Sequence, residues 1–316
     1  MTKPRVLITD HPWPDLAIER GILEPAGVEV VDAPDDHEET LQKLAADVSA
    51  IATCWAPVTD SILAAAPHCR HVARMGIGLD NIDVEAATRM GMIVTNVPDY
   101  CVEEVSDHAL ALLLALARNI GEFHLATKGG HYDLAGATPM RRMTGQILGL
   151  LGLGRIGRLT ARKGAALGLR VIAHTASGSD HGTGVPIVSF EQLLADSDYL
   201  SLHAPLTPET HHIVNARALA RMRPTACLIN TSRGGLVDQS ALADALAAGK
   251  LGGAGLDVFD PEPPDLSQPL FQHPRVIVTP HAAFVSEEAL VNLRERVSRQ
   301  VLDRIEGRTP ENVINP

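Results

Sequence analysis

Residues 150–168 read LLGLGRIGRLTARKGAALG. An apolar strand-forming run, 146–151, leads into Gly152, Gly154 and Gly157, and a stretch of good helix formers follows them. Glycine at the first position suits a tight turn, at the second it lets the backbone approach a pyrophosphate, and at the third it lets helix pack on strand. The N–H groups of Arg155 and Ile156, at the start of the helix, would then aim at the anion. The competing reading is a glycine-rich turn without a ligand; the strand-turn-helix setting favours the dinucleotide turn. Either way the stretch is a βα unit, and the fold is α/β.

Further units of the same kind extend on both sides. Downstream the strand candidates are 170–174, 198–202, 227–230, 255–258 and 276–279. Upstream they are 6–9, 28–31, 50–53, 71–73 and 93–96, with helical stretches such as 61–66 between them. Two doubly wound parallel sheets account for this alternation. The long apolar helix 103–119 reads as a connector, and 286–305 as a charged amphipathic helix. If that last helix packs on the first unit, the first domain is discontinuous.

A length of 316 residues suits two domains at about 150 each. With 45% hydrophobic and 21% charged residues, disordered, collagen-like and coiled-coil classes are excluded. Lys plus Arg is 27 against 38 for Asp plus Glu, a formal charge of -11 that repels phosphate backbones, and 3% aromatics leave no base-stacking platform. Nucleic acid is therefore not an expected partner. The longest apolar run, ALALLLALA at 109–117, is far short of the roughly 20 residues that span a bilayer, and MTKPRVLITD contains no signal-peptide core. The expected compartment is cytoplasmic. Cys54, Cys69, Cys101 and Cys227 form no C-x-x-C pair and read as free thiols.

Three strand-ending loops carry the remaining chemistry: Arg233 in NTSRGGLVD, Glu262 in DPEPP and His281 in VTPHAAF. Ligands of open α/β sheets bind beyond the carboxyl ends of strands, so the three side chains can meet there. They suit hydride transfer to a 2-oxo acid, since the carbonyl gaining hydride needs a proton donor, for which histidine is poised near neutral pH. A carboxylate beside it orients the ring and favours the imidazolium. Arginine holds a substrate carboxylate with a planar fork of donors. Taken singly, each has a duller alternative: a surface ion pair, a solvated loop acid, a strand-end cap.

The order of GLGRIG, NTSRGGLVD, LDVFDPEP and TPHAAF, with RMGIGLDNID at 74–83 and NVPDYCVEEVSDHALALLLALAR at 96–118, resembles the D-isomer-specific 2-hydroxyacid dehydrogenases over nearly the whole chain. Segments such as TPHAAFVSEEAL are similar to the branch of C-terminal-binding proteins. Phosphoglycerate dehydrogenases and glyoxylate or hydroxypyruvate reductases share most of the same motifs. The resemblance implies a Rossmann NAD(P)-binding domain, 101–284, inserted into a flavodoxin-like substrate domain, 1–100 plus 285–316, and a homodimer. By the same match Arg233 binds substrate, Glu262 assists, and His281 is the acid/base. Arg74, Met75, Gly76 and Ile77 contact the substrate carboxylate, partly through backbone N–H groups. Asp257 meets the nicotinamide amide. His203, Ala204, Pro205, Thr231 and Ser232, with His281 and Ala283, line the cofactor cleft.

Thr175 departs from the pattern. It stands at the end of the second strand of the dinucleotide unit, where an acid selects NAD, and no Lys or Arg lies between 171 and 201 to hold a 2′-phosphate. The expected cofactor is NAD or NADP, with both tolerated. Arg74, Arg141 and Arg142 offer charge for a larger acid, but 141–142 read as a solvated loop, so a small 2-oxo or 2-hydroxy acid is expected. Trp55, Tyr100 and Phe284 are candidate pocket walls. His211 and His212 have no i,i+4 partner, so no metal site is expected. The stripe on 103–119 is a dimer surface or internal core, and 241–248 is scaffold. With Pro316 following soon after the last helix, a C-terminal regulatory domain with amino-acid feedback, which some phosphoglycerate dehydrogenases carry, is not expected. Two functions stay in play: an enzyme of this class, or a dinucleotide-sensing binding protein like the co-repressors.

Overall fold

The computed structural model describes residues 3–134 and 138–315; Met1, Thr2 and Pro316, which the readings of the chain ends touch, lie outside them. Two compact units form. One comprises the described residues up to Tyr100 together with those from Ser286 onward; the other is Cys101–Val285.

The first unit contains β1 (Arg5–Ile8), β2 (Glu29–Asp32), β3 (Ala50–Thr53), β4 (His71–Arg74) and β5 (Ile93–Thr95). They pair in parallel in the order β2-β1-β3-β4-β5, the flavodoxin-like arrangement. Strand alternation sorts the side chains of β1 between two cores. Leu7 packs with Leu41, Ile51 and Ile62 on one face, while Val6 and Ile8 pack with Trp13, Leu293, Val297 and Val301 on the other. The last three belong to the helix Glu287–Ile305, whose N-terminus is capped by Ser286 accepting from Ala289 N at 2.9 Å. The last helix thus folds back on the first unit. Its Arg294 grips Glu19 of the helix Ala17–Leu23 with two hydrogen bonds of 2.8 and 2.7 Å. Glu19 is 1% and Arg294 8% exposed, and the guanidinium lies 5.0 Å from the centre of the Trp13 ring.

His71 ties β4 into the same core. Its Nε2 lies 2.8 Å from Thr95 Oγ1, which donates in turn to Gln300 Oε1 at 2.9 Å, so the proton between ring and hydroxyl sits on Nε2. Nδ1 is buried and finds no partner among the described residues. Burial, helped by the charge of Arg304, pushes His71 down to about 3. In the unfolded chain a histidine titrates near 6.5. The folded state therefore binds fewer protons between these values, and His71 stabilises the fold above about pH 6.5 and loses that contribution as pH falls toward 3. A melting temperature that drops over this window, with a shallower drop in His71→Gln, is the expected result; equal pH dependence of the two proteins overturns it.

The second unit contains β6 (Ile147–Leu151), β7 (Arg170–His174), β8 (Tyr199–Leu202), β9 (Cys227–Asn230), β10 (Gly253–Leu256) and β11 (Val276–Val278). Their order is β11-β10-β9-β8-β6-β7, all parallel, and Ile187 bridges to Ala173 beyond β7. With that bridge as a vestigial third strand, the order follows the dinucleotide-binding pattern, and the direction in which successive strands are added reverses between β6 and β8. β10 lies two residues before its expected position at 255–258. The strand is built from small residues because a Cβ on Gly255 would stand 2.9 Å from Leu112 Cβ; the close approach of the helix Val102–Ala117 overrides β propensity. That helix buries Ala109, Leu110, Leu112, Leu113 and Leu116 against Leu148, Leu150 and Ile229, so its stripe is internal core and not the dimer surface weighed above.

No single helix among the described residues is long and apolar enough to cross a membrane. The helices Val102–Ala117 and Ile120–Lys128 pass that test only as a pair bent by 64°, and the first is largely core. The four cysteines are buried and form no disulfide among the described residues, and burial raises the Cys54 thiol to about 12 and those of Cys69 and Cys227 to about 11.

Candidate active site

The chemistry-bearing residues of the second unit all follow the carboxyl ends of its strands. After β6, Gly152 adopts φ 97°, and a Cβ there would stand 2.7 Å from the carbonyl carbon of His203; one on Gly157 would stand 2.4 Å from Gly152 O. Neither position tolerates a side chain, for reasons internal to the protein. Gly154 is different. A Cβ on it meets nothing within 4 Å, so its glycine keeps space open in front of the helix Arg155–Ala166, whose N-cap makes no side-chain hydrogen bond. An approaching pyrophosphate requires that space and those N–H groups.

His203 N donates to Leu151 O at 2.7 Å, placing His203, Ala204 and Pro205 beside the glycine turn. Burial pushes the His203 ring down to about 4, so it is neutral, and its Nε2 lies 3.0 Å from Ser201 Oγ. Ser232 Oγ donates to Ala204 O at 2.7 Å, joining the β8 and β9 loops. Thr231 Oγ1 is buried without a partner among the described residues, a cost that a polar ligand group at the loop would offset. Together these features fit a nicotinamide dinucleotide.

Arg233 is fixed through its backbone. Buried Asn230 accepts from Ser232 N at 3.1 Å and donates to Arg233 O at 2.9 Å, and Arg233 Nη1 donates to Ser232 O at 2.7 Å. The loop then presses on the β10 loop: a Cβ on Gly234 would fall 1.9 Å from the Phe259 carbonyl carbon. Phe259 N donates to Glu262 Oε1 at 2.8 Å, and Glu262 Oε2 meets His281 Nδ1 at 2.8 Å. Burial pushes the Glu262 carboxyl upward, but the His281 hydrogen bond and charge, the Phe259 N–H and the Arg233 charge outweigh it and hold the group below its ordinary value.

His281 itself sits at φ 50°, its N–H shared between Asp257 O at 2.8 Å and Thr279 O at 3.0 Å. Fully buried Asp257 organises this turn, accepting from Ala282 N at 2.8 Å and Ala283 N at 2.9 Å. The Phe284 and His281 rings lie nearly perpendicular, with centres 6.0 Å apart. Thr175, at the end of β7, donates to Ser179 O at 3.2 Å. Asp180 in the same loop folds its carboxylate onto Gly182 N and Gly184 N, which lower its pKa.

Of the remaining sequence candidates, residues 74–77, Trp55 and Tyr100 belong to the first unit and Arg141, Arg142, His211 and His212 to the second. After β4, Arg74 is buried and donates through Nη1 to Met75 O at 2.6 Å, its guanidinium lying over Gly76. Met75 N donates to Thr53 O at 2.8 Å, and Asn96 Nδ2 to Ile77 O at 2.7 Å. Sequence reasoning passed over Asp10, which accepts from Cys54 N at 2.9 Å and Trp55 N at 2.6 Å and so presents the 41% exposed Trp55. Tyr100 is partly buried against the core of that unit. Arg141 and Arg142 are exposed, before β6. His211 and His212 have no i,i+4 partner in the sequence, yet folding brings Asp260 to them, with ligand atoms within 4.8 Å of one another. His211 and Asp260 are exposed and His212 is half-buried.

Residues 110–283 match the model of the D-isomer specific 2-hydroxyacid dehydrogenase NAD binding domain. A glyoxylate reductase of Korarchaeum cryptofilum is 37% identical over 99% of this chain and 96% of that protein. The D-3-phosphoglycerate dehydrogenase of Mycobacterium leprae is 38% identical over the whole of this chain, which spans 59% of that protein. Among solved structures, the NADPH-dependent glyoxylate/hydroxypyruvate reductase of Sinorhizobium meliloti, in complex with NADP and malonate, superposes with a TM-score of 0.89 at 31% identity, covering 99% of this chain and 97% of that one.

Proposed function

Because the chain belongs to the D-isomer-specific 2-hydroxyacid dehydrogenase family, whose members interconvert 2-oxo and D-2-hydroxy acids with NAD(P), we propose that it reduces a small 2-oxo acid of the glyoxylate or hydroxypyruvate type. The observation that carries this reading is the His281–Glu262 hydrogen bond of 2.8 Å beside the Arg233 loop. Its relatives are named for turnover, so the binding-protein alternative is not favoured.

In this reading Arg233 holds the substrate carboxylate and polarises the carbonyl with its fork of donors. Glu262, ionised at neutral pH, holds Nδ1 of His281, so that Nε2 delivers the proton to the new alkoxide or removes it in the oxidation direction. Backbone N–H groups of the loop carrying Arg74, Met75, Gly76 and Ile77 assist in carboxylate binding. A nicotinamide dinucleotide, when bound, supplies or accepts the hydride. Gly152, Gly154, Arg155, Ile156 and Gly157 hold its pyrophosphate, Thr175 faces the ribose, and His203, Ala204, Pro205, Thr231, Ser232, Asp257 and Ala283 line the nicotinamide side. In the same reading the first unit is the substrate domain and the second the cofactor domain.

Absorbance at 340 nm with NADH or NADPH, against glyoxylate, hydroxypyruvate, pyruvate, 2-oxoglutarate and phosphohydroxypyruvate, tests both substrate and cofactor. We expect oxidation with the two small acids; silence with all five overturns the reading. A neutral Thr175 imposes no like-charge penalty on a 2′-phosphate, and the loop offers no cation to reward one. Both cofactors should therefore serve, with KM values within about a thousandfold, roughly 4 kcal/mol; a wider gap removes that expectation. We assign the enzyme to the cytoplasm as a homodimer. Support for the dimer comes from Leu125 (71% exposed) and Tyr132 (91%), with Ile120, Leu134 and Met140 also on the surface, an apolar load that a second copy would cover. Light scattering at the monomer mass would remove it.

A further inference from the structure

One histidine of the connector helix is not spent on packing. His108 rises from Val102–Ala117, otherwise a core helix, and its Nε2 lies 2.9 Å from Thr279 Oγ1. Thr279 donates its only hydroxyl proton to Asp257 Oδ1 at 2.5 Å. The hydroxyl must therefore accept from His108, which assigns the proton to Nε2 of that ring. Nε2 also stands 3.6 Å from Asp257 Oδ1 itself. Asp257 is fully buried, and its carboxylate and carbonyl together receive the N–H groups of His281, Ala282 and Ala283. The conformation of the turn that carries His281 thus depends on where Asp257 points. Two side chains, Thr279 directly and His108 through it, hold that direction together with the backbone N–H groups of Ala282 and Ala283.

We propose that His108 is a positioning residue for the reaction: through Thr279 it orients Asp257, and through Asp257 it sets both the His281 turn and the carboxylate that meets the nicotinamide amide. This rests on the roles given above to His281 and Asp257. A purely structural histidine would be replaceable by any side chain that fills the same volume. A positioning one needs a donor at the place of Nε2, because a Thr279 hydroxyl with no donor to accept from is free to turn away from Asp257, and errors of about 1 Å at a reacting group cost on the order of 10²-fold in rate.

The test compares His108→Leu, His108→Gln, Thr279→Val and the Leu/Val double variant, each checked by its melting curve, with His281→Ala as reference. His108→Leu and Thr279→Val should each lower kcat at least about 10-fold with little change in KM for the 2-oxo acid, the pattern of a group felt in the transition state. His108→Gln, whose amide N–H reaches a similar point, should recover most of the loss. The double variant should be no worse than the weaker single, because both break one chain. Folded His108→Leu within about twofold of wild type, additive losses in the double variant, or no recovery with Gln, overturns the proposal. If His281→Ala is itself fully active, the acid/base reading fails instead, which separates the two.

Discussion

His281→Ala should lower turnover in either direction by at least about 10²-fold, the usual scale of a lost general acid or base, while NADH binding followed by fluorescence stays near the wild-type level. The cofactor contacts proposed above come mainly from backbone and from other loops, so the imidazole can be removed without dismantling them. Glu262→Gln is the informative companion. An amide can still meet Nδ1, but the negative charge opposite a protonated ring is lost, so the defect should be smaller than that of His281→Ala and larger at high pH in the reduction direction, where the ring must keep its proton. A His281→Ala enzyme with wild-type kcat would exclude the ring as proton donor, whatever its position.

The second large effect is on stability. Glu19→Ala leaves the Arg294 guanidinium inside the first unit without its carboxylate, and such an uncompensated buried charge costs about 3–5 kcal/mol. The remaining partners, Asp15 O at 2.7 Å, the exposed Asp15 carboxylate at 3.7 Å and the Trp13 ring, soften this without matching the buried two-bond contact. Replacing both members, Glu19→Leu with Arg294→Leu, should recover most of the loss, because the desolvation of two charges disappears together with their attraction. Urea unfolding of the two variants beside the wild type distinguishes the cases; a double variant as unstable as Glu19→Ala would show that the pair contributes specific geometry and not only charge balance.

What was legible in the sequence was local. The glycine turn announces itself because its three glycines fall within six residues, even though the backbone that excludes a side chain at Gly152 is that of His203, and Arg233, Glu262 and His281 were recognisable because each sits in a short loop directly after a strand. β10 was misplaced because its residues are small for the sake of a helix that packs on it from far away in the chain, and propensity favoured Val258 instead. Pairings across long separations left no signal at all: His108 with Thr279, Asp260 with His211 and His212, Glu19 with Arg294. None produces a period or a spacing, since each depends on two elements meeting only after the sheets have formed. Asp10 escaped for a related reason, its role being to fix the backbone of a loop some 44 residues on.

The division of the first unit between the two ends of the chain has a consequence for its birth on the ribosome. Its five strands emerge within the first hundred residues, yet Leu293, Val297 and Val301, which cover one face of that sheet, are synthesised almost two hundred residues later. Through that interval Val6, Ile8 and Trp13 lack their lid, while Cys101–Val285, an uninterrupted segment, can complete its own core as it leaves the exit tunnel. The nascent protein therefore passes through a stage with one finished domain and one apolar sheet face open to solvent. Translation stalled before residue 287 should produce a chaperone-bound, protease-sensitive N-terminal segment attached to a resistant nucleotide-binding domain.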